Sequence, residues 1–156
     1  MLRNSLLTIH VLSVVVWLGC GLYELFLAHE LKNARGTSGE VRLARIYLKY
    51  AAPVPIATLL VAGTGVWMAI ALKYGFFQLL WLGIKQGLMI LVLVIFASIL
   101  PPFMKFQRQV NAPPEDASEL PAETAAQFRS LEPWLVTMRI LGTIAVVLAI
   151  WRPAAF

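Results

Sequence analysis

The sequence predicts an all-α fold, an integral membrane four-helix bundle, on three observations. Of its 156 residues, 60% are hydrophobic and only 13% charged, with a mean hydropathy of +0.77. The apolar residues gather into four runs, about 6–29, 53–72, 78–100 and 134–151. At about 1.5 Å per residue each run approaches or exceeds the ~30 Å hydrocarbon layer of a bilayer. The basic residues flank these runs. Eight of the 13 lie in the two long connections, against three (Arg3, Lys73 and Arg152) on the other side. By the positive-inside rule the long connections are cytoplasmic, and a multi-pass protein of the bacterial inner membrane results, with both termini outside. The chain reads as a single domain, 1–156.

The first run holds His10, Trp17, Gly19, Cys20, Gly21, Tyr23 and Glu24 and ends at His29. At about 100° per residue, His10, Ser13, Trp17, Gly21 and Glu24 form one narrow stripe on a Leu and Val cylinder. Ionisable groups at membrane depth are costly, so the stripe is expected to face the other helices. A cleaved leader is not expected: the run continues past Cys20, and Trp17 stands where a small aliphatic residue would precede cleavage. The lone cysteine excludes an intramolecular disulfide and reads as a small core residue.

Residues 30–50 form a basic connection with a turn at Gly36-Thr37-Ser38-Gly39. Over 41–50, Arg42, Arg45 and Lys49 share one helical face, which predicts an interfacial helix. Pro53 and Pro55 open the second span, where first-turn amides lack partners anyway. Within it Gly63-Thr64-Gly65 permits close approach of a helix or a flat ligand. The short Lys73–Phe77 connection predicts an antiparallel hairpin of the second and third spans. The third span carries Lys85 and is expected to stop at Pro101-Pro102. Residues 103–133 read as an exposed loop with a short helix near 122–131. The last span carries Arg139 and closes on Arg152-Pro153. Glu24 and Arg139 share the inner half of the membrane, which predicts an ion pair.

His10 is the leading candidate: a buried imidazole can ligate a metal or haem iron, carry a proton, or hydrogen-bond within a core. His29 reads either as interfacial or as a second metal ligand. The two lie about 28 Å apart on one helix and cannot clamp one iron. Met68 and Met89 share the depth of His10, Met104 and Met138 that of His29; each is packing or a second ligand. Lys85 either snorkels outward or pairs with an anionic ligand group such as a propionate, with Gly83 and Gly87 flanking it at small-xxx-small spacing. Trp81, Trp134 and Trp151 are expected as interfacial anchors. No nucleotide loop, zinc constellation or catalytic triad is present. The formal charge of +5 and pI near 9.7 fit lipid headgroups. Arg42, Arg45 and Lys49 are too few and too close to the membrane to suggest nucleic acid.

The stretch His10-x6-Trp17-Leu18-Gly19-Cys20-Gly21-Leu22-Tyr23 resembles the opening helix of a superfamily of small bacterial membrane proteins. The superfamily includes the copper-resistance D-like proteins and the HemJ-type protoporphyrinogen oxidases. Gly63-Thr64-Gly65, Trp81-Leu82 followed by Lys85, and the closing Arg152-Pro153 extend the likeness. It implies that haem b is bound and that His10 and Lys85 carry function, His10 on iron and Lys85 on a propionate. Gly19, Gly21 and Gly63 would admit the macrocycle beside Trp17. This chain departs from the HemJ-type pattern in having no histidine near the end of the third span. The expected function is a haem b-binding membrane protein in electron transfer, with a porphyrin or quinone substrate and a homo-oligomeric or membrane redox partner. Protoporphyrinogen oxidation is one such reaction. Two alternatives are a copper-binding or copper-transport accessory protein and a structural partner subunit without cofactor.

Overall fold

The computed structural model describes residues 2–71, 73, 76–77, 80–112 and 119–151. They form α1 (Leu2–Asn33), α2 (Glu40–Ala51), α3 (Pro53–Ala71), α4 (Leu80–Asn111) and α5 (Ala122–Trp151), and no strand occurs among them. Among the described residues, four stretches are long and apolar enough to span a bilayer, α2 and α3 together making one of them. In the most apolar window of each, only 17–33% is buried inside the protein. Leu12, Val15, Ile56, Leu59, Ile90, Val94 and Val147 all face outward. Such a surface is unfavourable in water and natural against acyl chains, so the all-α membrane bundle is the architecture.

The helices pair as α1 with α3 and α4 with α5, and the two pairs are joined by α1–α5 and α2–α4 contacts. The expected packing of the second span against the third is not found: α3 and α4 do not pack along one another. Small residues explain the choice, since Ala57, Thr58 and Val61 bury one α3 face. Gly65 on α3 lies beside the His10 ring of α1, with its Cε1 3.5 Å from where a Cβ would stand, an ordinary van der Waals distance.

Three element boundaries differ from expectation. Pro101 and Pro102 do not stop α4, which runs on to Asn111. Phe106 and Val110, both fully buried beyond the prolines, repay the lost backbone bonds with packing, and the Gln127 side chain donates to the Pro102 carbonyl at 2.6 Å. Likewise Pro133 lies inside α5, so the helix expected at 122–131 and the last span are continuous. Phe128, Leu131, Leu135 and Met138 make one buried stripe across the proline. The third correction concerns α2, expected to lie on the membrane surface. Its Val41, Ala44, Tyr47, Leu48 and Ala51 are buried in the bundle and only the Arg42 and Lys49 side looks outward. Ala52 keeps right-handed helical angles and its N–H bonds to Leu48 O, so α2 passes into α3 with Pro53 as the sole break. Arg152 and Pro153, Pro113 and Pro114, and the expected span bounds Leu72 and Gln78 lie outside the described residues.

The core is concentrated at the end of the bundle that carries α2. Tyr47, Phe106 and Phe128 meet edge-on or tilted with ring centroids 5.2–6.3 Å apart. Gly36, at φ 72°, reverses the chain between α1 and α2 in a conformation that costs glycine little. Its N–H and that of Leu120 both donate to the buried Glu40 carboxylate, at 3.1 and 3.4 Å. One side chain thus ties together the two connections at this end.

Candidate functional site

Among the described residues, two polar clusters lie on the predicted stripe of α1. In the cluster nearer the α2 end, Glu24 is 2% and Arg139 2% exposed, and Arg139 Nη2 donates to Glu24 Oε2 at 2.5 Å. Tyr47 of α2 donates its hydroxyl to Glu24 Oε1 at 2.8 Å. The guanidinium carbon lies 5.3 Å from the Trp17 ring centroid, a cation–π distance. Both helices make room. A Cβ on Gly21 would collide with the Arg139 side chain, and one on Gly142 with the Trp17 ring. Arg139 therefore crosses from α5 to α1 over Gly21, while Trp17 reaches back to α5 over Gly142. The expected ion pair is present, joined by Tyr47 from the helix expected at the membrane surface.

The second cluster lies three to four turns away, toward the N-terminus of α1. His10 is half-buried, and its Nδ1 stands 2.9 Å from Thr64 Oγ1 on α3. The Thr64 hydroxyl spends its one hydrogen on the Leu60 carbonyl, 2.5 Å away, with Val61 O at 3.4 Å. The tautomer with the ring hydrogen on Nδ1 lets that oxygen accept from His10 and keeps the Nε2 lone pair. The Val61 carbonyl is a further acceptor beside the ring. Lys85 of α4, half-buried, is close enough for its charge to act on the imidazole. Thr64, the partner of His10, was visible only as the middle of Gly63-Thr64-Gly65.

Residues 4–153 match the model of a family described as predicted integral membrane proteins, DUF2269. The chain belongs to the DUF2269 family. No curated protein and no solved structure matches it.

The remaining candidates of this DUF2269 chain are dispersed. Gly19 and Gly63 face outward, with nothing within 4 Å of where a Cβ would stand. Trp17 and Gly21 are occupied by the Arg139 cluster. Met68 is half-buried on α3, and Met89 on α4 packs against the core. His29 is exposed at the α2 end, Met138 is buried in the core and Met104 is exposed. Gly83 packs against Phe77, and Gly87 has open space beside it. No group of three or more His, Cys, Asp or Glu side chains converges among the described residues of the DUF2269 chain. A site built from this protein's own ligands alone would have to enlist the methionines. A ligand that brings four of its own donors needs only one or two from the chain, and His10 offers one.

Proposed function

We propose that this membrane protein binds haem b at His10, in the half of the bundle shared by α1, α3 and α4, and serves a redox reaction there. The observation that carries the reading is the 2.9 Å contact of His10 Nδ1 with Thr64 Oγ1, which suits the tautomer that presents Nε2 as a ligand. A hydrogen bond from the far ring nitrogen is the usual support of a metal-bound histidine, orienting the ring and raising its basicity. The surroundings leave one side open, since α3 does not pack along α4. Haem supplies one-electron chemistry when bound. The chain's part is to orient the His10 ring through Thr64 and to set the Lys85 ammonium where a propionate can pair with it. Met68 on α3 and Met89 on α4 would be the sulfur donors if a second ligand came from this chain. The half-buried setting suits an apolar partner such as a porphyrin or a quinol.

Titration of haemin into purified protein in detergent tests the assignment. His10→Ala abolishes tight binding, His29→Ala leaves it within about twofold, and Lys85→Ala weakens retention while keeping the axial-ligand spectrum. Thr64→Val, which removes the acceptor from Nδ1, lowers affinity by about 10–100-fold. Equal loss in both histidine variants overturns the placement. Copper binding at His10 with no haem uptake transfers the site to the copper-handling reading.

A further inference from the structure

Around the ion pair, hydrogen-bond donors outnumber acceptors. Trp17 Nε1, Arg139 Nε and Arg139 Nη1 are buried and meet no acceptor in the structure. Their side chains are 3% and 2% exposed. An unmet N–H in a low-dielectric interior is unfavourable enough that buried donors are nearly always satisfied, by protein or by a bound molecule. Arg139 Nε is enclosed against Gly21. Nη1 and the indole N–H remain, one on α5 and the other on α1. The guanidinium carbon lies 5.3 Å from the indole centroid, which brings the two donors into one neighbourhood between α5 and α1.

Charge sets the chemistry of an acceptor there. Glu24 already neutralises Arg139, so an added anion would leave an unmatched charge among apolar helices, whereas a neutral acceptor adds none. We infer that Trp17 Nε1 and Arg139 Nη1 form a binding site for a neutral oxygen acceptor inside the bundle. The oxygen belongs either to an internal water molecule or to the carbonyl of a lipid-soluble ligand of the quinone class. This site is separate from His10 and does not depend on haem being bound.

Indole NMR of the full chain in detergent micelles, with nitrogen-15 in its five tryptophans, reads the site directly. Trp17→Phe assigns the signal; should that variant not fold, Trp67→Phe, Trp81→Phe, Trp134→Phe and Trp151→Phe assign it by elimination. The proposal expects the Trp17 indole proton to be shifted downfield by a hydrogen bond. In quinone-free protein, a bonded proton with an exchange cross-peak to solvent identifies water. A bonded position reached only on titration with decylubiquinone identifies the carbonyl. An indole proton at its unbonded position in both samples overturns the proposal.

Discussion

Glu24 and Arg139 show how much a single pair can decide inside a membrane protein. Each alone would be a bare charge among apolar side chains, and together with Tyr47 they present a neutral, hydrogen-bonded unit. Removing one partner, as in Glu24→Ala or Arg139→Ala, should cost about 3–5 kcal/mol because the survivor is stranded. Replacing both by leucine or methionine should cost much less, and a double-mutant cycle from unfolding in micelles measures the difference. Additive losses would mean that the two do not interact. Tyr47→Phe should cost roughly 1.5–3 kcal/mol, the range for a hydrogen bond to a charged group, in the same unfolding measurement. The pair was legible in the sequence because depth can be counted from the ends of apolar runs. Tyr47 and Thr64 were not, because the direction a side chain faces across helices follows from packing, which residue counting does not supply.

Among the elements, the prolines were the least legible feature. Pro101-Pro102 and Pro133 look like helix ends when read locally, since each ring removes an amide and crowds the preceding turn. Both helices continue because Phe106 and Val110 on one side, and Phe128 and Leu131 on the other, belong to the same buried stripes as the residues across the proline. Packing outweighs local preference in helices this long. The glycines show the opposite case, a local choice imposed by a neighbour. Gly142 faces the Trp17 ring so closely that Gly142→Leu must displace it, with an expected loss of about 1–3 kcal/mol from overpacking. Gly87, with nothing within 4 Å of a Cβ, should accept alanine with no loss or a gain of about 0.5–1 kcal/mol. Thermal unfolding of the two variants in one detergent compares them directly.

The molecule as a whole is built in two unlike halves. Around α2 the helices converge on an aromatic core, the ion pair, and the Glu40 tie between connections. Toward the other end the α1–α3 and α4–α5 pairs are not locked by α3–α4 packing, and there α1 carries His10, bound to Thr64 of α3. The four-span, all-α architecture was readable from composition and run length, since apolar surface without burial has one natural solvent. Helix pairing was not, because chain connectivity favoured α3 with α4 while small residues favoured α3 with α1. By the positive-inside rule the α2 end, with its surplus of basic residues, is expected in the cytoplasm. Reporter fusions after Phe156 should therefore signal from outside and fusions near Asn111 from the cytoplasm; a cytoplasmic C-terminus would reverse the orientation. The central claim is that the open half holds haem through His10, and the absorption spectrum of protein purified from haem-replete cells tests it most directly. A Soret band in the native chain that is absent from a folded, helical His10→Ala variant is the expected result. A native chain without a Soret band, or a variant that keeps it in full, would contradict the account.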